Sequence, residues 1–429
     1  MSKTKITSFF QTYERMSLFT ITTNCLLSLL GGFVSLKLIQ EYIPIFIQRG
    51  HYGNDQCKVS NAPIPEPMGV ITAAVYLIIM FIFIPFPFLE WTYTERLFPH
   101  DKFLAFLSAI ISICTAILLG FADDMLDLRW RHKLLFPTLS SLPVLMVYYV
   151  QGSSTTIVVP KIARSIVSFL GFEMTTSLDI NLLYYVFMGM VIVFCTNSIN
   201  IYAGINGLEV GQSLVIASSI TLYNVIQLYR LQDPIECWYN WLSIYFLLPF
   251  ITTSLILYNF NKYPARVFVG DTYCYWAGMT LAVVAILGHF SKTAMLFFIP
   301  QAFNFIYSTP QLFHLVPCPR HRLPKFDSKT DTVGMSFAEF KKSELDRFGQ
   351  WVVTILSTIG LLFKEDFNND GEKWIRLNNF TVINLVLKFV GPVREGTLTK
   401  LLLLLQVFSS ILAFIIRFFL ARILYDVVL

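Results

Sequence analysis

Apolar runs of helix length recur along the chain, separated by short polar breaks. Runs at 17–36, 69–89, 103–120, 134–150, 182–199, 208–228, 241–258, 273–288, 293–316 and 400–425 predict ten membrane-spanning helices. The run at 273–288 is short, and 293–316 carries Pro300 and Pro310, so that helix is expected to be kinked or broken. Lys3, Lys5 and Arg15 precede the first run as in a secretory signal. Its full-span length, with no small-residue cleavage site after it, predicts a retained helix instead. The pattern lapses at length only over 317–399. There Lys341, Lys342, Glu344, Asp346 and Arg347 alternate with apolar patches at 351–355 and 358–363. A small α/β insertion, partly lying on the membrane, is expected. The expected fold class is an all-α polytopic membrane protein of about ten transmembrane helices, with a small soluble α/β insertion before the last. Residues 1–316 would hold helices one to nine, 317–399 the insertion, and 400–429 the tenth helix and C-terminus.

Composition agrees with this pattern. The chain is 55% hydrophobic and 14% charged, with 40 Phe, where a soluble domain carries about 25% charged residues. A net charge of +5, without a basic tail or aromatic-basic alternation, argues against a nucleic-acid partner. The seven cysteines are scattered with no Cys-x-x-Cys pair, so they read as packing residues rather than zinc ligands or a disulfide framework. Asp366 to Gly371 imitates the start of a calcium-binding loop. Its twelfth position would be Leu377, where a bidentate Glu is required, so it reads as a turn.

With ten spans, the loops after spans one, three, five, seven and nine share one face of the membrane. Those loops hold the chemistry. Phe121 to Lys133 packs Asp123, Asp124 and Asp127 beside Arg129, Arg131 and Lys133. Carboxylates so close repel unless cations or a metal offset them; a self-neutralised solvated loop is the bland alternative. Asn200 to Glu209 includes Gly204, Asn206 and Gly207, glycines that let backbone approach a ligand, just before a helix start suited to anions. Arg266 to Asp271 puts a carboxylate beside Gly270, equally readable as a helix cap. Pro317 to Pro324 holds Arg320, His321 and Arg322 between prolines, a cationic cluster suited to phosphate or to lipid headgroups. Taken together these loops supply hard oxygen ligands, phosphate clamps and glycine-rich backbone, which magnesium-assisted phosphoryl transfer needs.

These four strings resemble the polyprenyl-phosphate N-acetylhexosamine-phosphate transferases, and most closely the eukaryotic endoplasmic-reticulum branch. The likeness extends from about Pro63 to Pro324. It implies a reaction in which UDP-GlcNAc and dolichyl phosphate give GlcNAc-diphosphodolichol and UMP, the first step toward the lipid-linked oligosaccharide for N-glycosylation, blocked by tunicamycin. It implies a homodimer in that membrane with its active site facing the cytosol. By motif, Asn200 and Asp271 would ligate Mg²⁺. Gly204, Asn206, Phe268 and Glu66 would line the uridine pocket, with Asp55 and Gln56 nearby; the family often has an apolar residue where Gln56 stands. Arg320, His321 and Arg322 would recognise the sugar and a phosphate, and Lys133 would hold a phosphate. Trp130 would flank the groove for the lipid. Asp123 and Asp124, ~100° apart on a helix end, would divide two tasks: one pairs with Lys133, the other faces the acceptor phosphate.

Two rivals have different signatures. A transporter or scramblase would carry charges within its spans or inverted-repeat symmetry, and Lys37 is nearly alone in that respect. A sister transferase would use another nucleotide sugar or another polyprenyl phosphate.

Overall fold

The structure, a computed structural model, describes residues 3–58, 62–89, 98–126, 128, 130–152, 154–231, 233–319, 322–369 and 372–425, with side chains from residue 18 onward except those of 130–132, 234 and 235. The long helices are α1 (Lys3–Gln48), α2 (Gly69–Phe83), α3 (His100–Leu126) and α4 (Trp130–Val150). A short α5 (Lys161–Phe169) is followed by α6 (Leu182–Ile201), α7 (Leu208–Arg230), α8 (Pro234–Asn261) and α9 (Gly270–Leu287). The expected ninth span is two pieces, α10 (Ser291–Phe297) and α11 (Ile299–Leu312). Helices thus stand at all ten places where the apolar runs put them. Seven of the described helices are long and apolar enough to cross a membrane. Helices α7 and α9 have the length but less apolarity, because protein rather than lipid surrounds much of them.

α9 is the axis of the bundle. Every side chain from Thr272 to Leu287 is buried, as expected of a helix walled on all sides. Small residues allow it. A Cβ on Gly278 would lie 2.4 Å from Thr196 Cα of α6, and one on Gly120 of α3 would lie 2.8 Å from Thr272 Cα. Neighbouring backbones therefore meet α9 almost directly, the packing that small residues permit between membrane helices.

The break at Phe298 is satisfied internally. Pro300 brings no N–H to the second piece, and the carbonyl of Phe297 accepts from Gln406 Nε2 at 2.8 Å. Gln301 Nε2 then donates to Gln406 Oε1 and to Gln212 Oε1, each at 2.7 Å. Gln406 lies on the last long helix, α14, named below, so three elements are tied by amides around the interruption. Backbone groups freed inside a membrane need such partners.

The insertion is α/β, as expected. Hairpin β5 (Lys325–Asp327) and β6 (Thr332–Gly334) precedes an antiparallel sheet in the order β7 (Phe337–Lys341), β9 (Glu372–Asn378), β8 (Lys364–Asn369), with α12 (Arg347–Thr358) and α13 (Val382–Val390). (Hairpins β1, Tyr52–Asn54 with β2, Pro63–Pro65, and β3, Thr156–Val158 with β4, Ser177–Asp179, lie earlier in the chain.) The insertion's own core includes Ala338, Phe340, Val353, Leu362, Ile375 and Leu377. Asp366 to Asn369 of the calcium-loop imitation lie in strand β8, with Asn369 paired to Glu372, and Asp370 and Gly371 lie outside the described residues. α12 begins against the carbonyl of Leu315, just past α11, and leaves Phe348, Trp351, Ile355 and the following Ile359 exposed.

Several boundaries differ from the pattern: α1 extends well beyond the 17–36 run at both ends, α8 starts at Pro234 rather than 241, and two further differences bear on the site. The last long helix, α14 (Glu395–Ile415), starts five residues earlier than the apolar run because its first turn is polar. Asp123 and Asp124 sit on the final helical turn of α3 rather than in a loop, and Lys133 in the first turn of α4. Asp127, between them, lies outside the described residues.

Candidate active site

The site is built on the N-terminus of α9. The first N–H groups of a helix have no partner within it and carry partial positive charge. Asp124, from the end of α3, supplies the missing acceptors: Oδ1 accepts from Asp271 N at 2.6 Å and Oδ2 from Thr272 N at 2.8 Å, with the Thr272 hydroxyl also donating to it. The chain can come this close only because residue 270 is glycine. Its φ is +73°, and a Cβ there would meet Pro67 at 2.3 Å and an Asp124 oxygen at 2.7 Å.

Of the readings left open by the sequence, the helix-cap role is not one that Asp271 plays, and both oxygens of Asp124 are taken up by the N-terminus of α9. Asp271, freed from capping, holds a polar cluster together. Lys133 Nζ donates to its Oδ2 at 2.6 Å, and Asn200 Nδ2 to its Oδ1 at 2.7 Å. Lys133 also lies 3.1 Å from Asp123 Oδ2, so Asp123 takes the expected pairing task. Tyr275 OH donates to the same Asp123 oxygen at 3.4 Å.

Beside this cluster is a cavity of about 440 Å³. Of the residues expected in the site, Asp55, Gln56, Glu66, Asn200, Gly204, Asn206, Phe268 and Asp271 all line it. They come from three of the five loops that share a face. The Phe268 loop is pinned by backbone pairing to the end of β2: Phe268 N donates to Pro65 O at 2.9 Å and Met68 N to Phe268 O at 2.9 Å. Gly204 has φ +107°, and a Cβ there would strike Leu323 at 2.2 Å. Glycine is required at that wall.

On the other side of Lys133 lies an apolar groove of about 970 Å³ between α4, α6 and α11, bordered by Leu142, Val186, Met190, Phe194, Phe305 and Phe313. Lys133, Asn200 and Arg322 line its polar end, and Asn200 lines the cavity as well. Arg322 is held through its carbonyl by Ser336 Oγ at 3.2 Å and Asn384 Nδ2 at 3.0 Å. Its Nη1 is buried with no partner among the described residues. Burial draws the guanidinium below its ordinary pKa, yet an arginine stays charged at neutral pH. A buried cationic N–H without an acceptor calls for an anion. Arg320, His321 and the side chain of Trp130 lie outside the described residues.

The cavity's charge balance is unusual for a phosphate site. Its lining includes the carboxylates of Asp55, Glu66, Glu209, Asp271 and Glu395, and no Lys or Arg among the described residues. Glu395 and Glu209 were not singled out by sequence. Glu209 Oε1 accepts from Gly204 N at 3.0 Å and shapes the glycine loop. Asp55 is raised by burial, but Lys58 at 2.6 Å and bonds from Asn206 and Cys57 hold it below its ordinary value. Asp55, Cys57 and Glu395 bring ligand atoms within 4.8 Å of one another. Burial, then Glu395 and Asp55, push the Cys57 thiol up to about 12, and Lys58 already neutralises Asp55, so this trio is poorly suited to a cation. Asn200 and Asp271 fit one better: an amide and a carboxylate brought together from different helices beside an acid-rich lining, with Lys133 the one cation already on Asp271 among the described residues. Mg²⁺ takes few protein oxygens and completes its shell with water and phosphate.

A helical polytopic membrane protein with a polar cavity and a lipid-sized groove meeting at cations and carboxylates defines a class of membrane-embedded transferases. Residues 106–289 match the family model described as "Glycosyl transferase family 4". The chain is 41% identical over 94% of its length to the UDP-N-acetylglucosamine–dolichyl-phosphate N-acetylglucosaminephosphotransferase of Schizosaccharomyces pombe, covering 93% of that protein. It is 43% identical to the protein of the same name from Saccharomyces cerevisiae, over 90% of this chain and 89% of that one. A phospho-N-acetylmuramoyl-pentapeptide-transferase of Leuconostoc citreum is 26% identical over 43% of this chain and 52% of its own. The chain belongs to glycosyl transferase family 4.

The acid-rich cavity has a measurable consequence. Burial, followed by the charges of Asp124, Asp271 and Glu209, pushes the Glu66 carboxyl up from 4.5 to about 7. The folded chain then binds more protons than the unfolded one between those values, so this group's contribution to stability falls as pH rises through that window. Glu66→Gln removes the penalty. Thermal melts without nucleotide or metal should show the variant more stable than the parent at pH 7.5, by about 1–3 kcal/mol after allowance for partial solvent exposure. The two curves should converge near pH 4.5. Parallel curves across the range would contradict the shift.

Proposed function

We propose that this chain transfers GlcNAc-1-phosphate from UDP-GlcNAc to dolichyl phosphate, releasing UMP and giving GlcNAc-diphosphodolichol. This would be the first step of lipid-linked oligosaccharide synthesis for N-glycosylation in the endoplasmic-reticulum membrane. The observation that supports it most is the junction at Lys133, Asn200 and Arg322. There a polar cavity of nucleotide-sugar size meets an apolar groove fit for a polyprenyl chain. The relatives' names supply the particular sugar, nucleotide and lipid.

A phosphate oxygen of the lipid attacks the β-phosphorus of the donor; that P–O bond forms as the P–O bond to UMP breaks. The acceptor is largely dianionic at neutral pH, since phosphate monoesters have a second pKa of about 6, so a strong base is unnecessary. Lys133 and Arg322 hold phosphate oxygens at the junction, and Asp123 keeps the Lys133 ammonium aimed there. Asp124 fixes the end of α9, and with it Asp271. The nucleoside is placed between Phe268, Gly204, Asn206, Glu66, Asp55 and Gln56, where tunicamycin would compete. Trp130, Arg320 and His321 complete the lipid and sugar contacts by resemblance. Asn200 and Asp271 would hold Mg²⁺, which when bound neutralises and aligns the donor pyrophosphate. Alignment and charge neutralisation account for most of the acceleration.

Purified protein given UDP-GlcNAc, dolichyl phosphate and Mg²⁺ should release UMP. Chelation should stop release, and Asp271→Ala should lower turnover per folded molecule at least ~10³-fold. Release that survives chelation, or an Asp271→Ala enzyme within a few-fold of the parent, would remove the metal role assigned to this residue.

In this reading the cavity faces the cytosol, α12 lies in the headgroup layer on that side, and the chain works as a homodimer. The Asn379-Phe380-Thr381 sequon is no reporter of sidedness. Asn379 is fully buried, donates to Ser336 Oγ at 2.8 Å and accepts from Gln311 at 3.1 Å. Single cysteines in a cysteine-free background serve better. In sealed microsomes Asp327→Cys should react with an impermeant maleimide from outside, while Glu173→Cys should react only after permeabilisation. The reverse pattern would invert the proposed orientation.

A further inference from the structure

Glu395 begins the last long helix, far from every motif that marks the site, yet its carboxylate is buried against the cavity. Its Oε1 accepts from Asn206 N at 2.7 Å, and its Oε2 lies 3.4 Å from Asn206 Nδ2. Asp55 Oδ2 accepts from the same Nδ2 at 2.9 Å. One turn along α14, Thr399 Oγ1 donates to the carbonyl of Asn206 at 3.0 Å. The backbone N–H, the backbone carbonyl and both amide hydrogens of Asn206 are therefore engaged. Its Oδ1 has no donor among the described residues, and the side chain borders the cavity.

The direction of this amide is dictated by charge. Turned over, Asn206 would press its oxygen against two carboxylates and leave both of them without its N–H groups, an arrangement costly for buried polar atoms. From this we infer that Glu395 and Asp55 lock Asn206 with its oxygen toward the ligand, and that this lock makes the cavity select uracil over cytosine. The inference rests on the reading that the cavity holds the nucleoside of the donor. Uracil presents a ring N–H between two carbonyls, and a fixed acceptor in the wall matches that N–H. Cytosine presents a bare ring nitrogen at the same place, so two lone pairs would face each other. Sites built to hydrogen-bond one group reject analogues that leave it unmatched far more strongly than apolar walls do. The nearby Phe268 ring adds stacking that does not distinguish the two bases. Glu395 is thus a positioning residue for specificity, acting through Asn206.

Calorimetric binding of UMP and CMP to the full-length protein in detergent with Mg²⁺ tests this. The parent should prefer UMP by at least ~10-fold. Glu395→Gln offers an N–H to Asn206 Oδ1 and so permits the amide to turn. It should lower the UMP:CMP ratio by roughly ten-fold. Asp55→Asn should lower the ratio from the other side and serves if the first variant does not fold. A merely structural role would weaken both nucleotides together, and an unmoved ratio in a folded variant overturns the inference. So does a parent that binds UMP and CMP equally. A parent that binds UMP not at all removes the donor-site reading itself, and this inference with it.

Discussion

The carboxylate of Asp124 on the N-terminus of α9 is the contact on which the rest of the site depends. It joins residues 147 and 148 positions apart in sequence and supplies acceptors for the first N–H groups of a helix that is otherwise walled by protein. A charged acceptor on such N–H groups is among the stronger hydrogen bonds a protein makes. Gly270 lets the two chains approach, and Gly120 lets α3 lie against α9 so that Asp124 arrives at the right height. Fixing that end of α9 fixes Asp271, and Asp271 in turn gathers Lys133 from α4 and Asn200 from α6. Four helices therefore converge on one turn.

Electrostatics then divides the site in two. Positive charge collects at the mouth of the groove, on Lys133 and Arg322, whereas the cavity is lined by carboxylates. A pyrophosphate would be repelled by that lining in the absence of a cation. The same imbalance that raises Glu66 is what would give the proposed divalent ion its purchase beside Asn200 and Asp271. The groove's apolar walls need no such compensation, because a polyprenyl chain gains by leaving water or exchanging one apolar surface for another. In the proposed reading, donor and acceptor would be recognised by different physics and would meet where Asn200 borders both spaces.

Much of this was legible in the sequence because membrane topology does part of the work of a fold. Ten apolar runs put alternate loops on one face, and the loops carrying Asp55, Asp123, Asn200, Asp271 and Arg322 do converge there. Three kinds of feature were not legible. Glu395 sits in a polar first turn that a hydropathy boundary assigns to the preceding loop, and no motif flags it. The cap by Asp124 is a contact between distant segments, and local spacing made Asp271 look like its own cap. The central position of α9 was hidden because a helix surrounded by protein has no need of a fully apolar sequence, so Thr272, Tyr275 and Thr280 lowered its hydropathy at the very place where burial is greatest.

The central claim is that Asp124 acts by holding α9 rather than by accepting a proton from the acceptor phosphate. The pH dependence of turnover in Asp124→Asn separates the two. The amide keeps one acceptor and loses the other, so the account predicts a loss of activity of the same size from pH 6 to pH 8. A variant that loses most of its activity at pH 6 and recovers near pH 8, where the lipid phosphate is already deprotonated, while the parent's profile stays flat, would show Asp124 to be a base and contradict the account.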